Sequence, residues 1–154
     1  MVTQSLEPAA PWRWLLLLYK VKPKPSAGRV YVWRKLKRLG ALLVHDAVWV
    51  LPDTPRTREH FQWLAAEIVE MGGEALIWES QLALGTTEAA LIQKFAEPTE
   101  AAYRALLKDL KKKEPDLATL SQQYQQVKQQ DYFHSRLGAE VREALTSARE
   151  GGGQ

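Results

Sequence analysis

Four short apolar runs decide what this chain can become. They are WRWLLLLYKV (Trp12–Val21), ALLV (Ala41–Val44), VWVL (Val48–Leu51) and EALIWES (Glu74–Ser80). Each is short, rich in branched or aromatic residues and bounded by Pro, Gly or charged residues, the pattern of strands rather than of helices. The second and third run on from one another through ALLVHDAVWVLP, with room only for a tight turn around His45-Asp46. The other gaps are longer and carry a helical period.

The first gap predicts a helix from a Ser26 cap to about Leu39, with Gly40 as its stop. At 100° per residue Val32, Trp33, Leu36 and Leu39 share one face, and Tyr31, Arg34, Lys35, Lys37 and Arg38 share the other. The second gap predicts a helix that starts with Thr54 as cap and Pro55 in the first turn, carries a stripe of Phe61, Leu64, Ala65 and Ile68, and ends at Gly72-Gly73. The order is β-α-β-β-α-β, which predicts an α+β protein with a ferredoxin-like sheet over residues 12–84. An all-helical C-terminal region follows over 86–150, with helices at Thr87–Phe95, Pro98–Lys112, Asp116–Gln130 and Ser135–Arg149. Residues 1–11 read as a flexible arm and 151–154 as a tail. The strand runs are apolar on both sides, so the sheet's second face is expected to be covered by the C-terminal helices or by another copy of the chain.

Charge narrows the function. The formal net charge is only +3, yet nine Lys or Arg residues and no acid fall between Pro8 and His45. Clustering of that kind says more about partners than the sum does. The absence of cysteine removes disulfides, thiolate metal sites and cysteine nucleophiles together. The longest apolar run, WLLLLY, is far below the roughly 20 residues of a membrane helix, and no signal-peptide pattern is present. A soluble cytoplasmic protein with no membrane partner is expected.

The strings GRVYVWRKLKRLGA, HDAVWVLPDTPRTREHFQWLAAEI, GGEALIWES and YQQVKQQDYFHSRLG resemble the N-terminal domain of ChrB-type chromate-resistance regulators, over about Trp12 to Arg149. The resemblance implies a bacterial protein tied to chromate efflux operons, in which ChrB acts as a chromate-responsive transcriptional regulator. Longer members of that family carry a second domain. The ferredoxin-like half is also similar to the middle domain of PaaX-type repressors and to the small nuclease of the CRISPR adaptation complex. Those proteins tend to read Tyr-Asp at the end of the first strand, where the Asp can hold a metal. This chain reads Tyr19-Lys20, and a cation there repels a divalent ion.

Two cationic constellations stand out. Taken as parallel central strands, the first and third send their following loops, KVKPKPSAGR and PDTPRTR, to one edge of the sheet. Lys22, Lys24, Ser26, Arg29, Arg56 and Arg58 are then expected to gather beside two helix N-termini as a site for chromate or another oxyanion. The alternative is a solvated rim on which Ser26 and Thr54 only cap their helices. The second constellation is the helix face of Arg34, Lys35, Lys37 and Arg38 with Tyr31 among them, suited to tracking the phosphates of DNA. Its alternative is a wet face kept soluble by charge. No helix-turn-helix pattern accompanies it.

The rest of the inventory points away from catalysis. His45, His60 and His134 lie in different elements without metal-ligand spacing. No nucleophile triad, P-loop or dinucleotide fingerprint occurs. No catalytic residue, metal or cofactor is assigned, and a non-enzyme is expected. Trp14, Trp33, Trp49, Trp63 and Trp78 fall inside the apolar patterns and are expected in the core. Tyr132 and Phe133 in DYFHSRLG read as a docking plug, with Ser135 capping the last helix. The leading expectation is a chromate-responsive DNA-binding regulator, working as a homodimer. The rivals are a dimerising interaction module without DNA binding of its own, and a metal-dependent nuclease relative.

Overall fold

The structure is a computed structural model that describes residues 11–151. The element order is β1 (Trp14–Lys20), α1 (Ala27–Leu39), β2 (Leu42–His45), β3 (Val48–Pro52), α2 (Pro55–Glu70), β4 (Glu74–Ser80), α3 (Glu88–Leu110), α4 (Leu117–Gln130) and α5 (Arg136–Gly151). These form two compact units, residues 11–36 with 41–88 and residues 37–40 with 89–151. The division therefore falls inside the first turn of α3, and the last turn of α1 groups with the helices. The arm and tail expected at the ends lie outside the described residues, apart from Pro11 and from Gly151, which closes α5.

The first unit is α+β, with a four-stranded sheet in the order β2-β3-β1-β4. Every pairing is antiparallel: β1 against β3 with Leu15 opposite Leu51, β1 against β4 with Leu17 opposite Ile77, and β2 against β3 with a bulge between Leu43 and His45. The tight turn lies where the sequence placed it, and Asp46 takes a positive φ of 40° there. One sheet face carries Leu15, Leu17, Trp49 and Leu51, all buried. Helix α2 packs on β1 and β4 and buries Phe61, Leu64 and Ile68; α1 buries Val32 and Leu36. Each such side chain contributes about 1.5–3 kcal/mol of transfer free energy.

The chain itself covers the other face only in part. Trp14, Val50 and Pro52 are buried on it, Leu16 and Leu18 are half-buried, but Leu76 and Trp78 are 58% and 55% exposed. The run ALIW thus alternates after all, and the β4 side of this face is open. Tryptophan is corrected with it. Trp14 and Trp49 are buried, whereas Trp33, Trp63 and Trp78 are exposed. Trp33 and Trp63 sit next to core positions along their helices, and that one-residue offset turns each ring toward solvent.

Helix α2 begins as its sequence directs. The Thr54 side chain accepts from the Thr57 N–H at 3.1 Å, and Thr57 Oγ1 accepts from the Thr54 N–H at 2.9 Å. Thr57, itself buried, also donates to the Pro52 carbonyl at 2.6 Å and so ties the helix start to the end of β3. Thr57→Val keeps the shape and removes that hydroxyl. It is expected to cost about 1–3 kcal/mol in chemical denaturation, because a buried carbonyl and a capping N–H both lose their partner.

The second unit is helical. Tyr103, Leu106, Leu120, Tyr124, Val141 and Leu145 form its core, with Leu107, Leu110, Leu117 and Val127 packed around them. The break expected between Phe95 and Pro98 does not occur, and α3 runs through Pro98. Phe95, Thr99, Tyr103 and Leu106 make one buried stripe across the proline, and Thr99 Oγ1 donates to the Ala96 carbonyl at 2.8 Å. Continuous burial outweighs the one backbone bond that proline forfeits. In the junction before α5, Phe133 packs on Phe95 with ring centroids 5.9 Å apart.

Candidate functional site

Strand direction decides which cations meet. Because β1 and β3 are antiparallel, the loops that follow them leave from opposite ends of the sheet. The expected gathering of six residues is therefore split. Lys22, Lys24, Ser26 and Arg29 stand at the β1–α1 end, while Arg56 and Arg58 stand at the other. Arg58 is also committed, bonded to Asp53 at 2.7 Å and to Glu79 at 2.5 Å. The two carboxylates hold its guanidinium above its ordinary pKa, Asp53 contributing most. With Arg13 3.9 Å from the same Glu79, that end is a structural ion-pair network. Arg56 is exposed beside it.

The β1–α1 end holds a cleft of about 910 Å³. Its polar lining is Lys20, Ser26, Arg29, Arg34 and Asp46. Its rings are Tyr19, Trp33 and Trp49, and Val21, Val30 and Leu43 complete most of the apolar wall. Local sequence explains the construction. β1 ends at Lys20, the Pro-rich loop turns the chain, and the Ser26 carbonyl accepts the first helical bond from the Val30 N–H at 3.1 Å. From there Arg29 and Trp33, four residues apart, follow on one side of the helix, and Arg34 completes the lining. Lys22 and Lys24 are exposed and do not line it. The Lys22 side chain runs instead beside Gly72, where an added Cβ would stand 3.6 Å from its Nζ.

The cationic helix face divides in the same way. Arg34 belongs to the cleft side. On the α2 side the Tyr31 hydroxyl donates to Glu67, and the Lys35 ammonium lies 5.6 Å from the centroid of the Tyr31 ring. Tyr31 is thus a fixed strut beneath Lys35. Lys37 and Arg38 are exposed in the last turn, whose carbonyls are satisfied within the helical unit. Gln130 Nε2 donates to the Arg38 carbonyl at 2.7 Å, and the Tyr132 hydroxyl donates to the Leu39 carbonyl. Gly40, at φ 74°, lets Gln130 approach, since a Cβ there would lie 3.1 Å from the Gln130 Cβ. Arg29, Arg34 and Arg38 make no ion pair among the described residues.

Of the residues singled out in the sequence, the cleft brings together Ser26, Arg29 and Arg34. It adds Lys20, Trp33 and Asp46, which were not read as members of a site. The row Arg29–Trp33, four residues apart, carried the available signal; assigning Trp33 to the core hid it. Among the described residues no three His, Asp or Glu side chains come together to hold a metal ion, and no helix is long and apolar enough to cross a membrane.

Comparison with known proteins adds a family. The family model described as Protein ChrB, N-terminal, matches residues 29–118, a stretch that includes the whole cationic row from Arg29 to Arg38. The chain is also similar to Protein ChrB of Cupriavidus metallidurans, at 33% identity over 89 residues. That stretch is 58% of this chain and 28% of that relative.

Proposed function

The chain belongs to the ChrB N-terminal family, and from that premise we propose that it is a regulatory module of chromate resistance that binds DNA through α1. The observation that carries this reading is the pair of exposed guanidinium groups, Arg34 and Arg38, one turn apart on one helix with no acidic partner among the described residues. Arginines without an acidic partner on one helix face suit a phosphate backbone, and each phosphate they neutralise releases condensed counterions. The strand order β2-β3-β1-β4 with wholly antiparallel pairing supports a ferredoxin-like reading of the unit that presents them. The oxyanion belongs, in this reading, at the β1–α1 end, where Ser26 and Arg29 line the cleft. Chromate there competes with a DNA phosphate, and regulation follows because it binds the DNA-free form more tightly. The protein acts as a binding module in the cytoplasm and not as an enzyme.

The test is fluorescence anisotropy of the gene's own upstream duplex titrated with the protein over a range of salt. The slope of log affinity against log salt is expected to fall by about 1 for each of Arg34→Ala and Arg38→Ala, and chromate is expected to weaken binding where sulfate does not. A duplex bound equally well by the double variant sinks this reading. A second reading is favoured by the open β4 side of the sheet, where Leu76 and Trp78 are exposed. There the chain is a homodimerising interaction module, and its self-association survives high salt while the duplex goes unbound.

A further inference from the structure

We propose that the cleft beside α1 is a site for a nucleoside phosphate, either a free mononucleotide or an unpaired nucleotide of a strand. It rests on the cationic reading above only for the phosphate end. Its remaining chemistry is different from anything a bare oxyanion or a duplex backbone demands.

Lys20, Arg29 and Arg34 give the lining its positive charge. Trp33, 50% exposed, stands one helical turn after Arg29 in the same lining. Four residues of helix separate the two by about 6 Å along the axis, comparable with the span from base to phosphate within one nucleotide. Asp46, exposed at the tip of the β2–β3 turn, supplies a carboxylate to the same cleft. A bare tetrahedral anion engages only the cationic groups and leaves the indole and Asp46 unused. A nucleoside phosphate uses all three groups. Its phosphate takes the guanidinium forks, its base stacks on Trp33, and an amino group of the base or a hydroxyl of the sugar donates to Asp46. Volume agrees: about 910 Å³ lies in the range of small-molecule sites and far exceeds what one oxyanion fills. The half-exposed Trp33, at odds with core packing, thereby gains a purpose.

Calorimetric titration of the full chain with AMP, adenosine and inorganic phosphate tests the assignment without any duplex. AMP is expected to bind at least about tenfold more tightly than either of its parts, the low end of what one base stack contributes. Trp33→Ala should weaken AMP by about tenfold and leave phosphate unchanged, while Trp33→Phe keeps most of the AMP affinity. Arg29→Gln should weaken AMP and phosphate alike. Trp33 is exposed, so its variants are expected to keep the parent's circular dichroism. AMP no tighter than inorganic phosphate, or an AMP affinity indifferent to Trp33→Ala, overturns the proposal. A single-stranded oligo(dA) that binds more tightly than AMP identifies the unpaired strand as the source, and AMP bound without the oligomer identifies the free nucleotide. Duplex anisotropy run in parallel keeps the two ideas separate, since AMP binding without duplex binding defeats only the regulator reading.

Discussion

Gly73→Ala is expected to destabilise the first unit by about 3 kcal/mol or more, a large part of the 5–15 kcal/mol that holds a domain together. A Cβ at Gly73 would stand 2.4 Å from the Lys20 carbonyl oxygen, 2.9 Å from Ile68 Cγ2 and 3.1 Å from the Ile68 carbonyl oxygen. Two of these neighbours are backbone and cannot swing aside as a side-chain tip can. One belongs to the last residue of β1, paired with Glu74, and the other to the last turn of α2, where it accepts the Gly73 N–H at 2.9 Å. The added methyl must therefore either part β1 from β4 or lift the end of α2. Gly72→Ala serves as the control. Its φ of 83° costs an L-residue about 1 kcal/mol, but its Cβ meets only the flexible end of Lys22 at 3.6 Å. All six tryptophans lie in this unit, so denaturant unfolding followed by tryptophan emission reports on it alone. Equal midpoints for the two variants would refute the steric account.

The two glycines also mark how far the sequence could be read. Their dipeptide announced a helix stop, correctly, but no pattern distinguishes a glycine needed for its φ from one needed because another strand passes 2.4 Å away. The β-α-β-β-α-β order was legible because each element carries its own local signal: strand-length apolar runs, Thr54-Pro55 at a helix start, Gly40 at a helix end. Long-range choices were not. Pro98 reads as a break until the buried stripe from Phe95 to Leu106 is seen to continue across it. ALIW reads as buried on both sides, whereas the chain by itself leaves Leu76 and Trp78 exposed.

The site was half legible for the same reason. Charge clustering is visible in one dimension, so Ser26, Arg29 and Arg34, which line one cleft, stand out in the sequence. Strand direction is not, and a parallel β1–β3 pair brought in Arg56 and Arg58, which the antiparallel sheet carries to the far end. Asp46 reaches the cleft only through the β2–β3 turn, more than 10 residues in sequence from Ser26 and Arg34 alike. Tyr31 falls on the cationic face by its spacing, but Glu67 of α2 claims its hydroxyl.

Asp131→Ala is expected to cost the helical unit about 2–4 kcal/mol, through two losses that one carboxylate now prevents. Asp131 ends α4 and accepts the Ser135 N–H at 2.9 and 3.0 Å, which starts α5. Its Oδ2 also accepts the hydroxyl of the fully buried Tyr103 at 3.0 Å. Gly138 makes room for the pair, since a Cβ there would lie 3.0 Å from the Tyr103 hydroxyl oxygen and 3.2 Å from Asp131 Oδ2. Removing the carboxylate strands a buried phenol, so Tyr103→Phe alone should cost less, about 1 kcal/mol. In the Tyr103→Phe background the further cost of Asp131→Ala should shrink to about the 1 kcal/mol of a lost cap. Burial, and then the bond to Asp131, hold the Tyr103 phenol above its usual pKa. An unfolded tyrosine ionises near pH 10 while the folded one stays protonated. Its contribution is therefore complete below about pH 10 and is lost as the pH climbs beyond it. Helical circular dichroism, in a unit without tryptophan, should show the parent melting earlier with each step above that pH, and the Tyr103→Phe protein less so. Additive costs for the two substitutions, together with an unchanged alkaline slope, would mean that the carboxylate serves α5 alone.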